Sequence, residues 1–155
     1  AKNYVAWNWK GGTSFDAGGG SGTGSKNVDA GFGISTYTGT GEMDGDEINV
    51  AHGCGGTPEL VIVKDRDGNY GSGFDWVVWH HKLSTDNFLL LNENYAQSAW
   101  DSSYPLIQAG VTNNTFGIDS GTSGYSLNDG SNSMNGETNY VVYSMRSIEG
   151  LRGKS

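Results

Sequence analysis

The chain has 155 residues, 26 of them glycine and 2 proline, with a charged fraction of 17% and a formal net charge of −8. So much glycine disfavours helices, because each interior helical glycine costs about 1 kcal/mol. The negative charge argues against nucleic acid and anionic membranes, which both select Lys and Arg. No apolar run reaches the roughly 18 residues of a membrane span and no signal-type segment opens the chain, so no membrane insertion is expected.

The first element is NYVAWNWK, residues 3–10, which reads as a strand. It returns near the end of the chain as NYVVYSMR, residues 139–146, with Tyr4 matching Tyr140, Trp7 matching Tyr143 and Lys10 matching Arg146. One reading is that the opening strand closes a preceding unit of an array and the later copy closes this one. The other is a single sheet that uses two similar strands.

Residues 11–31 are Gly/Ser-rich with almost no apolar side chains, and are expected to form a linker or loop. A β-sandwich domain is expected over 32–150, followed by a tail at 151–155. FGISTYTG, from Phe32, alternates as a half-buried strand. After the acidic turn EMDGDE comes INVAHG. A single cysteine, Cys54, sits between glycines, so no disulfide and no CxxC metal clip is expected, and it reads as a packed small residue.

PELVIVKDRDGN, rich in β-branched residues, ends in a DG turn and pairs as a hairpin with FDWVVWHHKL. Alternation puts Trp76, Val78 and His80 on one face of the latter and Val77, Trp79 and His81 on the other. Trp76 is expected in the core beside Phe74, leaving Trp79 and His81 outward. NFLLLNEN is too apolar for one wet face and reads as a central strand. YAQSAWDSS is a polar-aromatic loop, TFGI and GYSL are short strands, and TNYVVYSMRSI closes the domain. Ten or so strands without helices predict an all-β, antiparallel two-sheet β-sandwich of jelly-roll or concanavalin-like lectin type, with a closed barrel as the alternative.

The ordered set NYVAW-x-WK-GG, GF-x-I-STYTGTG, VAHG-x-G-x-x-PELVIVK-x-RDG, DWVVWH-x-KL, FLLLN, TFGI and NYVVYS-x-x-x-IEG resembles tail-fibre and fibre-like virion proteins of marine and cyanobacterial tailed phages. These carry lectin-like β-sandwich modules. The resemblance implies a virion location in a tail or head fibre, host attachment or virion structure, and assembly with other modules or subunits of the same fibre as a homo-oligomer. It supplies no binding residues to carry over.

Enzymatic signatures are weak. Glycosidases need two carboxylates across a cleft, and Glu42, Asp44, Asp46 and Glu47 read as a solvated turn. Glu93 is the one acid on an apolar strand. No serine stands in a G-x-S-x-G elbow beside His52, His80 or His81. Asp65, Asp67 and Asn69 resemble the start of a calcium loop, but Trp76 occupies the place of the bidentate Glu, so an EF-hand is excluded. Calcium on scattered loop carboxylates stays open.

The five Trp and eight Tyr among many Asn, Asp and Ser suit a host-surface glycan, whose CH faces pack on rings while its hydroxyls take polar partners. Trp100 is the expected platform, with Tyr95, Tyr104, Asp101, Trp79 and His81 as further candidates. The net charge favours a neutral or divalent-bridged polysaccharide over an acidic one.

Overall fold

The computed structural model describes residues 6, 8–18, 22–39, 48–67, 75–83, 87–94, 96–99, 111–118 and 138–149. They carry ten strands and no helix: β1 (Thr13–Gly18), β2 (Gly22–Asn27), β3 (Phe32–Thr38), β4 (Ile48–Ala51), β5 (Leu60–Asp65), β6 (Val77–His80), β7 (Asn87–Leu90), β8 (Ser98–Ala99), β9 (Thr115–Ile118) and β10 (Asn139–Met145). Every ladder is antiparallel, in the order β8-β7-β6-β5-β10-β3-β2-β1-β4-β9.

This continuous sheet curls on itself like a half-barrel. Val50 of β4 and Phe116 and Ile118 of β9 belong to one end of the strand order. They share a core with Val61 and Val63 of β5, Val77 of β6, and Tyr140 and Val142 of β10. Period-two alternation sorts the faces. On β5, Val61, Val63 and Asp65 are buried while Leu60, Ile62 and Lys64 are half-buried. The closing strand β10 lies at the centre, paired to β3 from Asn139↔Thr38 to Met145↔Phe32 and to β5 from Tyr140↔Asp65 to Met145↔Leu60.

Three expectations are corrected. The segment 11–31 is not simply a linker: β1 and β2 pair from Thr13↔Lys26 to Gly18↔Gly22, and β2 continues onto β3. Its ladder is held by backbone hydrogen bonds, which need no apolar side chains, and the Phe15 ring lies directly over Gly24, where a Cβ would collide with it. NFLLLNEN is not a central strand. β7 stands one place from the sheet's end, and all four of its residues are half-buried.

The faces of β6 are also reversed from the expectation. Val77 and Trp79 pair with the core residues Val63 and Val61, and Trp79 packs against the core. Trp76 instead stacks on Tyr143 at 6.2 Å on the outer face. In the opening segment, the described residues 6 and 8–10 carry no strand.

Candidate functional site

Trp100, Tyr95, Tyr104 and Asp101, four of the six residues expected to bind sugar, lie outside the described residues, as do Glu42, Asp44, Asp46 and Glu47. Of the other two, Trp79 is committed to the core. His81 follows β6 in a turn, its Nε2 3.8 Å from the Glu59 carboxylate and its ring edge-on to His80. The structure therefore does not bring Trp79 and His81 into one surface. Glu93 is exposed in the turn after β7, where its carboxylate accepts from the Asn92 amide at 3.4 Å.

The acidic residues of the DG turn are occupied in holding β10. The Asp65 carboxylate accepts the Asp67 amide at 2.8 Å and the Thr138 hydroxyl at 3.0 Å. The Asp67 carboxylate accepts the Asn139 backbone amide at 3.1 Å and its side-chain amide at 2.7 Å. These bonds from Asn139 hold the Asp67 pKa below the ordinary carboxylate range. Among the described residues no three His, Cys, Asp or Glu side chains gather as a metal site.

His52 and Cys54 form a buried structural turn. The His52 Nδ1 accepts the Cys54 amide at 3.2 Å, which leaves Nε2 to donate to the Thr112 carbonyl at 3.2 Å. Both ring nitrogens are thus committed, and Ser35 and Ser144, buried on the same side of the sheet, make no bond to them. Burial pushes the Cys54 thiol up to about 12, against the opposing pull of Arg146, so it is no nucleophile at neutral pH. The turn sits where it does because Gly33 has no side chain; a Cβ there would run into the His52 carbonyl.

Two open clefts meet at Lys26. The first, about 320 Å³, runs between residues 10–13 and residues 26–29. Its walls are tied together, since Asn27 donates to the Lys10 carbonyl at 3.4 Å and the Ser25 hydroxyl accepts the Gly12 amide at 3.1 Å. The 27–31 turn is fixed by hydrogen bonds from Ala30 to the Asn27 side chain and from Gly31 to Val28. The second cleft, about 260 Å³, is lined by Phe15, Asp16, Lys26, Val28, Asn113, Asn114 and the turn that carries Gly53 and Gly55. The Lys26 ammonium lies 5.5 Å from the centre of the Phe15 ring, within cation–π range.

Trp9 precedes Lys10 in the chain but does not itself line the first cleft. Its ring stacks on Phe32 at 5.5 Å, 12° from parallel, with Tyr143 tilted against it at 6.4 Å, yet 46% of its surface stays exposed. Val28, on the rims of both clefts, is 40% exposed. Arg146 fixes this corner from behind, donating from Nε to the Cys54 carbonyl at 2.8 Å and from a terminal nitrogen to the Val28 carbonyl at 3.4 Å.

Trp9 is not among the sequence candidates, because one of the two readings places the opening segment in a preceding unit. The signal was there: Trp9 stands between Asn8 and Lys10, the polar flanking that singled out Trp100.

The fold and clefts define a small all-β domain with an aromatic and polar surface corner. The chain matches the model of a family described as a domain of unknown function (DUF7483) over residues 1–153 and belongs to that family. No curated protein matches the chain, and no solved structure does.

Proposed function

We propose that this domain is a non-enzymatic, carbohydrate-binding module of a phage virion fibre that attaches to host-surface glycan. The observation that carries the reading is Trp9: a ring backed by Phe32 and half open to solvent, one residue along the chain from Lys10, which lines a cleft with Asn27 and Asp29. A pyranose stacks its CH face on such a ring and hydrogen-bonds its hydroxyls to side chains of this kind. The virion setting rests on the resemblance to tailed-phage fibre proteins, and the curled antiparallel sheet is compatible with a lectin-like sandwich. Single-site affinity is weak on this reading, and the many copies of a fibre supply avidity.

A second reading is favoured by the outer face. Around Tyr143 the residues Ile34, Leu60, Ile62, Val141 and Met145 are all only half-buried, which suits a structural fibre or decoration module packed against sister subunits. A depolymerase fragment is the weakest alternative: Asp75 and Glu93 both accept from the Asn92 side-chain amide, at 2.6 and 3.4 Å, but neither lines either of the two clefts described above.

The test is binding of the purified domain to a broad glycan array, with calcium and with EDTA. Reproducible hits that vanish in Trp9→Ala support attachment. No hits, together with an oligomer in solution, move the reading to the structural module.

A further inference from the structure

We infer that the ligand met by Trp9 is an extended neutral oligosaccharide, which crosses the outer face of the sheet and takes Trp76 as a second subsite. This rests on the glycan-binding reading and names its ligand class. It also gives a role to Trp76, whose place on the outer face the core does not require.

The strand register puts the rings on one face. Phe32 and Ile34 of β3 pair with Met145 and Tyr143 of β10, which pair in turn with Leu60 and Ile62 of β5. Alternation points these side chains away from the core of Val142, Val61 and Val63. Trp9 stacks on Phe32 and tilts against Tyr143, while Trp76 stacks on Tyr143, 25° from parallel. Phe32 opens β3 and Trp76 immediately precedes β6, and the sheet runs β6-β5-β10-β3. The two indoles therefore flank Tyr143 from opposite sides of β10. Trp9, Tyr143 and Trp76 form a row that crosses the strands. One pyranose covers one ring, so a row of rings matches a chain of sugars.

The row is placed in advance. The Trp76 amide donates to the Asn92 side chain at 2.8 Å, and its carbonyl accepts the Leu91 amide at 2.9 Å. Trp9 is backed by Phe32, and the carbonyl of the next residue, Lys10, accepts the Asn27 side-chain amide at 3.4 Å. Rings held in this way lose little conformational entropy when a ligand settles on them. Trp76 is half-buried and Tyr143 likewise, so both keep surface to offer. Acceptors for sugar hydroxyls stand at the Trp76 end, where the Asn92 amide donates to Asp75 at 2.6 Å and to Glu93 at 3.4 Å. Two carboxylates at that end disfavour an acidic chain, in the same sense as the net charge of −8.

The experiment measures binding of the domain by calorimetry to cello-, manno- and galacto-oligosaccharides, each from monosaccharide to hexasaccharide. In at least one series affinity should rise roughly tenfold from the shortest member that binds to the longest, the size of one further aromatic contact. Trp76→Ala should remove that gain, so that long chains bind no better than short ones. In the unaltered domain the Trp76 indole N–H signal should move with long chains and stay still with short ones, a readout that does not depend on how the variant folds. Trp9-dependent binding that is equal at every length, with the Trp76 signal unmoved, overturns the second subsite and leaves the glycan reading standing. Array hits confined to acidic saccharides overturn the neutral class in the same way. If no saccharide of any kind binds, the glycan reading itself fails, and this inference with it.

Discussion

Tyr37 of β3 and Tyr140 of β10 face each other across the central ladder, their rings 4.7 Å apart and 9° from parallel, each only 1% exposed. The pair sits where the two arms of the curled sheet share a core, so it joins local pairing to global closure. Tyr140→Ala should cost about 3–5 kcal/mol, as for other large aromatic truncations, read from urea denaturation. Burial foremost, then Tyr140 and Asp65, raises the Tyr37 pKa well above 10.0. The folded state therefore favours the neutral phenol. The stability this adds is complete below pH 10 and declines as pH rises from there toward the folded pKa.

The β1–β2 hairpin is the bridge that carries the sheet from β3 round to β4 and β9. Deleting residues 1–25 removes β1 and most of β2, and should abolish the cooperative thermal transition. An unchanged melting temperature would show that these strands contribute nothing to the domain.

That hairpin shows where the sequence was opaque. Strands β3, β5, β6, β9 and β10 announce themselves through Val, Ile, Tyr and Phe at period two, and the β5–β6 hairpin follows from its turn. The TSFDAG and GTGSKN strands offer little apolar surface, and their pairing is a backbone matter that composition does not record. The faces of β6 were equally hidden, because Val77 and Val78 are both buried, so alternation could not say which side held the core. The site suffered most: its walls come from the stretch expected to be a linker or loop, and Trp9 from an opening segment that one of two readings gives to a preceding unit.

His52 should make the domain sensitive to mild acid. Burial lowers its pKa below 6.5, outweighing the opposing bond to the Thr112 carbonyl. The unfolded chain takes up a proton near pH 6.5, while the folded chain resists until lower pH. Stability is therefore full above pH 6.5, falls as pH drops through it, and levels off below the folded pKa. Protonation would also cost the Cys54 amide its acceptor. The melting temperature should drop between about pH 7.5 and 5, and His52→Gln should flatten that slope while lowering stability throughout. An unaltered slope in the variant would place the titration elsewhere.

Arg146 links stability to the site, since its guanidinium holds the carbonyls of both Cys54 and Val28. Arg146→Met keeps the stem and removes the donors. It should cost about 1.5–3 kcal/mol, the range for hydrogen bonds to a charged group. It should also weaken glycan binding measurably under conditions where the variant remains folded. Loss of stability with unchanged binding would separate the clefts from this clamp.

The most direct measurement is a titration of the isotope-labelled domain with an array-selected oligosaccharide, following its five tryptophan indole N–H signals. The signal that disappears in Trp9→Phe identifies Trp9. The account predicts that this signal moves saturably while that of the core residue Trp79 stays still. Saturable movement confined to other indoles, with Trp9 unmoved, would contradict it.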